Sequence, residues 1–343
     1  MLELFREIPS RGASRFSIVR PTTVDLPPMG LRSHQQGIQR TTSGDFVISG
    51  SGSRSGYLYF ADRSTLKIGE VLAPVIGNFN HLGGIQVAND ILAVGYERLE
   101  SGASGTSVVL FYDVRNVTAP AALDHLTVER TSAGETAGAV GLCRAGAGWL
   151  LLVANWDSDR LDFYRSDNDD LFATTTRFPL LGTWELSTNG LAAGSIDDRW
   201  GEYQNINLFA DEDGSLWFVG METVFLRPDI SIDPIHLGGE GRKSITDVLT
   251  IDPEVLQSSS DLQIPGLDFL QSDWADLYQL GLTSNGITIT KRANKRFYRN
   301  GHGPRFRYGS GFRLNRVTGK FEVYACEANL SNLGRVNRCN RWG

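Results

Sequence analysis

The chain has 343 residues, 41% of them hydrophobic, with 38 glycines, 12 prolines and a formal net charge of −6. That content can bury a large core, and no apolar run approaches the ~20 residues of a membrane span. The negative balance argues against a general polyanion binder, and three cysteines are too few for a disulfide scaffold.

The first ten residues carry charges and lack the apolar region of a signal peptide. The expectation is a cytoplasmic protein, or a secreted or periplasmic one whose leader has been removed. Further on, short apolar runs recur between turn residues. A first-strand phrase begins at His34, with Gly37, Ile38 and Gln39, and again at His81, with Gly84, Ile85 and Gln86. Weaker copies begin at Gly138, Glu202 and Tyr308. A second apolar run follows each time, over 45–50, 90–95, 149–154, 215–220 and 320–325, ending in glycine or alanine. A third carries an aromatic: Leu58-Tyr59, Leu110-Phe111, Asp162-Phe163 and Leu277-Tyr278. Fourth, outer strands are expected over 66–72, 123–129, 172–178 and 287–295.

The last unit lacks its third and fourth strands. The N-terminus offers both, with Leu4-Phe5 matching the third-strand pattern and 15–20 an outer strand. Self-similarity at this period resembles the β-propeller superfamily across nearly the whole chain. The resemblance implies an all-β fold in one domain, 1–343: a five-bladed β-propeller whose last blade is closed by strands from both chain ends. Closure of the ring removes exposed sheet edges. Six blades is the rival count, if 223–273 hides another blade. No family motif names a function.

Loops entering the inner strands and leaving the second strands share one face of such a ring, where function is expected. His34 and His81 begin neighbouring inner strands, and Glu202 and Tyr308 take the same step in two later units. His302 lies in the loop before the last unit. Acids recur just past the second strands: Glu97, Asp157, Glu222 and Glu327. Such a ring can hold a cation or act as acid and base. His34, His81 and Glu202 are the candidate metal ligands, for zinc, manganese or calcium. His81 or His34 is the candidate base and Tyr308 the proton donor. Repeated polar residues at strand entrances can equally serve as struts between blades. Gln39 and Gln86 are expected to hold channel water.

The stretch 223–273 is the longest interruption and reads as a cap over the channel mouth, carrying His236, Glu240, Arg242 and Lys243. Between Lys291 and Lys320 lie ten Lys/Arg, interleaved with aromatics, and no Asp or Glu. Arg305 and Arg307 are expected to bind an anionic ligand there. Lys291, Arg292 and Arg296 are expected on an outer strand, as charges that discourage edge pairing. Cys326 and Cys339 could close a small loop or stay free, and Cys143 reads as a buried apolar residue. The Rossmann fingerprint and the common hydrolase motifs are absent, so no nucleotide cofactor is expected.

The leading expectation is a monomeric binding protein for an anionic small molecule or acidic saccharide, with His302, Arg305, Arg307 and the repeated acids around the ligand. No membrane is expected as partner, and nucleic acid is disfavoured. The alternatives are a lyase or hydrolase acting on an acidic sugar, and a scaffold for protein partners.

Overall fold

The computed structural model describes residues 1–21, 34–51, 55–74, 79–98, 106–132, 135–225, 271–284, 286–298, 304–327 and 336–343. A short helix α1 (Leu2–Glu7) and strand β1 (Ser14–Val19) come first. The next meander is β2 (His34–Arg40), β3 (Phe46–Ser51), β4 (Gly56–Ala61) and β5 (Ile68–Leu72). Another follows with β6 (His81–Ala88), β7 (Ile91–Glu97), β8 (Ser107–Asp113) and two edge pieces, β9 (Ala121–Ala122) and β10 (Val128–Arg130). Then come β11 (Ala139–Ala145), β12 (Gly148–Ala154), β13 (Arg160–Arg165) and β14 (Leu180–Glu185), with a helical turn α2 (Leu186–Asn189). The next set is β15 (Asn205–Ala210), β16 (Leu216–Phe225), β17 (Gln271–Thr283) and β18 (Gly286–Phe297). The last strands are β19 (Arg305–Asn315), β20 (Lys320–Cys326) and β21 (Val336–Trp342).

Local chemistry explains these elements. The second strands β3, β7 and β12 are buried along their whole length, as continuous apolar runs require. Asn89 and Asp90 join β6 to β7 with φ of 48° and 62°, the mirror-image turn that suits a tight hairpin. Sheet orders are β11-β12-β13-β14 and β15-β16-β17-β18, and β6-β7-β8-β10 with β9 beside β8. An eight-stranded sheet runs β1-β21-β20-β19-β2-β3-β4-β5, joined at its middle by a parallel bridge between Ser310 and Gly37. The architecture is all-β and propeller-like. Its apolar core lies between successive sheets, for example Ile91, Val109 and Phe111 with Leu142, Leu151 and Val153.

The chain ends do meet, though not as the sequence suggested. β1 is the outer strand and pairs with β21, which pairs with β20. Leu4 and Phe5 lie in α1, so the third strand of this unit comes from the C-terminal end. The spacing of Leu2, Phe5 and Ile8 is helical, and Phe5 stacks on Phe312 at 5.8 Å. The outer strand of the third meander is β14, where the sequence suggested 172–178. That segment instead turns at Asp170, which accepts from the Phe172 amide at 2.9 Å and, through its backbone carbonyl, from Thr176 Oγ1 at 2.7 Å. The strands β16 and β17 run to Phe225 and from Gln271, so the interruption spans 226–270, narrower than 223–273 and outside the described residues.

Inner-strand amides fill the axis. Gln86 Oε1 accepts from the backbone amides of Leu142 and Leu208 at 2.8 and 2.7 Å, and its Nε2 donates to the Leu208 carbonyl at 2.8 Å. Asn207 donates to the Ile85 carbonyl and accepts from the Phe312 amide at 2.7 Å, while Gln39 donates to the Phe312 carbonyl. Gln39 and Gln86 therefore act as cross-braces between inner strands. A Cβ on Gly311 would lie 1.7 Å from the Ile38 carbonyl oxygen, so only glycine lets β19 approach β2 this closely.

Glu322 ties the closing unit together. It accepts from Tyr324 Oη at 2.6 Å, Arg341 Nη2 at 2.7 Å and Asn315 Nδ2 at 3.1 Å. Burial pushes its pKa up, but the Tyr324 and Asn315 hydrogen bonds and the Arg341 and Arg40 charges outweigh this and hold it below the ordinary value of 4.5. A carboxylate depressed in the folded state stabilises above its unfolded pKa, and the contribution is lost as pH falls through the folded one. Glu322→Gln should therefore lower stability at neutral pH and flatten the loss of stability below pH 4.5. Parallel acid limbs for variant and parent in denaturant melts would refute this.

Candidate functional site

His34 and His81 are the first residues of β2 and β6, and their rings lie 5.6 Å apart at 47°. Gln36 is the unpaired residue where the β2–β3 register shifts between Gln35 and Gly37, and its side chain reaches His34. Its Nε2 lies 2.5 Å from His34 Nε2 and 2.6 Å from His81 Nε2. One amide group has two hydrogens, so it can donate to both imidazole lone pairs at once. Register places Glu97 directly opposite His81, and Glu97 Oε1 lies 3.2 Å from His81 Nδ1. The other Glu97 oxygen accepts from the Ala137 amide at 2.6 Å. These bonds define an ordered chain, Glu97 to His81 to Gln36 to His34. Its first three members are buried, His81 being 2% exposed, and His34 is half-buried at the outer end.

Trp156 covers this chain. It sits two residues past the end of β12, is 39% exposed, and its ring centroid lies 5.0 Å from that of His81. Its amide is held by Thr136 Oγ1 at 2.8 Å. A Cβ on Gly138 would lie 3.1 Å from Trp156 Cα, so glycine here lets the tryptophan loop close over the start of the third inner strand. The space that Gly138 leaves is thus taken by Trp156. Below, Asn205 donates to the Gln36 carbonyl at 2.6 Å, while its own Oδ1 is buried without a hydrogen-bond partner.

The other expected site residues that are described are dispersed. Glu202 is exposed and precedes β15, and the set His34, His81 and Glu202 is not assembled. Among the described residues no group of three His, Cys, Asp or Glu side chains gathers as metal ligands would. Glu222 is engaged by the Arg199 guanidinium, which also lies 5.4 Å above the Trp274 ring. Asp157 is exposed, with its pKa raised by partial burial and by Asp159. Glu327 is half-buried beside Arg338 at 3.4 Å. Arg305 is buried at the start of β19. Arg307 and Tyr308 are in the same strand, but their side chains, like His236 and His302, lie outside the described residues.

Lys291 corrects a further expectation. It is on outer strand β18, yet its side chain is buried, with Nζ 2.8 Å from Asp197 Oδ1, 3.2 Å from Asp276 Oδ2 and 2.9 Å from the Arg199 carbonyl. Tyr203 donates to the same Asp276 oxygen at 2.7 Å and touches Tyr278 Oη. Burial, with the Asp276 charge second for Tyr203 and the Tyr203 hydroxyl second for Tyr278, pushes both phenols well up, so both stay protonated.

Sequence reasoning found His34, His81 and Glu97 and missed Gln36 and Trp156. The first lies at a register shift in β2, which strand alternation does not mark. The second carried a weak signal, as the single tryptophan just past a second strand.

No protein-family model matches the chain, and no curated protein matches it. Solved structures do. A luciferin-regenerating enzyme superposes over 90% of this chain and 78% of its own, with TM-score 0.40 and 13% identity. The GH32 β-fructofuranosidase BmSUC1 of Bombyx mori aligns over 98% of this chain and 65% of its own, with TM-score 0.42 and 12% identity. The Cps50 (Swd1) β-propeller domain of Myceliophteria thermophila aligns over 93% and 98%, with TM-score 0.33 and 12% identity. All three TM-scores lie below 0.5, and these likenesses assign no function to this chain.

Proposed function

We propose that the chain is a five-bladed β-propeller that binds an acidic saccharide or similar anionic ligand at the mouth formed by His34 and Trp156. Among the described residues five meanders, counting β19-β20-β21-β1 as one, support the blade count. The observation that carries the binding reading is the half-exposed Trp156 ring over the buried His81 imidazole, which Gln36 links in turn to the half-buried His34 imidazole. Sugars offer an apolar face for an aromatic ring and hydroxyls for polar groups, and sites of this kind pair apolar walls with few placed polar groups. The parallel pairing of β19 with β2 brings the end bearing Arg305 to the same edge as His34, which favours a ligand carrying a carboxylate. His81 and Glu97 position His34 through Gln36 and do not themselves meet the ligand.

In a second reading His34 acts as general base on an acidic sugar, which requires its Nε2 lone pair to exchange the Gln36 amide for the substrate proton. Calorimetry and tryptophan fluorescence with uronic-acid and neutral oligosaccharides separate these readings. Trp156→Ala and His34→Ala should each weaken binding at least about tenfold, or about 1.4 kcal/mol, and acidic oligomers should outcompete neutral ones. Turnover of the acidic oligomer, lost in His34→Ala, would establish the catalytic reading. Absence of saturable binding, with His81→Ala changing only the melting temperature, would reduce the imidazoles to struts between blades.

A further inference from the structure

Cys326 and Cys339 face each other across β20 and β21, in direct register, with Sγ atoms 3.0 Å apart. The neighbouring pair, Glu327 and Arg338, is the hydrogen-bonded one, since the Glu327 amide donates to the Arg338 carbonyl at 3.0 Å. Pairs alternate along an antiparallel ladder, so the cysteines occupy the non-hydrogen-bonded position, where side chains approach most closely. That spacing lies within the range a disulfide spans without backbone movement. Both residues are buried beside Ile18, Phe46 and Tyr324. The third cysteine, Cys143, is on β11 in a different cluster.

We propose that Cys326 and Cys339 form a disulfide that fastens β21 into the closing unit. The strand needs fastening because it is the middle link of its sheet: β1 pairs along its length with β21, and β21 with β20. Two thiols lose two protons and two electrons to an external disulfide, such as oxidised glutathione. One thiolate opens the oxidant to a mixed disulfide, and the second displaces the reduced half. Burial and the adjacent sulfur push the folded Cys326 thiol well up, so the bond forms before β21 docks or during its transient release. Such a bond persists outside a reducing cytosol.

The test is refolding from denaturant in a mixture of reduced and oxidised glutathione. The product is unfolded again and its thiols are alkylated and counted by mass spectrometry. One alkylated thiol is expected, on Cys143, with the mass lower by two hydrogens. Cys143→Ser should leave none. Three alkylated thiols, or glutathione retained on either residue, would overturn the bond. Reduction should lower the melting temperature of the parent by several degrees and leave a Cys326→Ser, Cys339→Ser variant unchanged. A bond that forms without that difference would overturn the fastening role.

Discussion

A chain lacking residues 1–19 should lose more than about 5 kcal/mol of stability, and its melting temperature should fall well below that of the intact protein. The removed segment buries Phe5, Ile8 and Ile18, each at 4% exposure or less. Each such side chain contributes about 1.5–3 kcal/mol by leaving water. Phe5 and Ile8 pack in the cluster that holds Trp217, Phe312 and Trp342, so their loss opens a hole in a core shared by two sheets. Removing β1 also bares the edge of β21 and deletes the bond from the Val19 amide to the Leu66 carbonyl, which ties the closing unit to the turn before β5. Calorimetry with soluble protein is the measurement. A truncated chain that melts with the intact one would show that closure does not depend on the N-terminal strand.

Lys291→Ala should cost about 3–5 kcal/mol, the usual result of stripping one partner from a buried ion pair. Asp276 would keep the Tyr203 hydroxyl but lose its counter-charge, in a place water does not reach. Apolar replacement of both groups, Lys291→Met with Asp276→Leu, should cost less than either single change, because no uncompensated charge is left behind. Arg292 and Arg296 lie on the same strand without this burial, and their removal should shift stability by no more than about 0.5 kcal/mol. Equal losses at the three positions would show that Lys291 acts only through the general field of the strand.

The repeated His-containing phrase made two inner strands and their imidazoles readable, because strand period and turn chemistry are local. β21 was missed for a physical reason. Its buried residues, Cys339, Asn340 and Trp342, do not alternate with exposed ones, so no period-2 signal marks it. The Leu4-Phe5 misreading came from the reverse case, where two apolar residues fit a strand motif but the Leu2, Phe5, Ile8 spacing is helical. Glu202 stood at the right step of the repeat, yet it lies exposed ahead of β15.

By itself the sequence determined that this chain forms short strands joined by tight turns, with apolar second strands and a ring-closing arrangement of its ends. Those properties follow from side-chain periodicity and from glycine, asparagine and aspartate at turns, which act over a few residues. Tertiary structure alone decided which groups meet. Gln36 joins His34 to His81, Trp156 takes the space beside Gly138, and Lys291 finds Asp197 and Asp276 from distant parts of the chain. Burial turned those encounters into fixed hydrogen bonds and ion pairs, since a polar group removed from water is stable only where a partner is waiting.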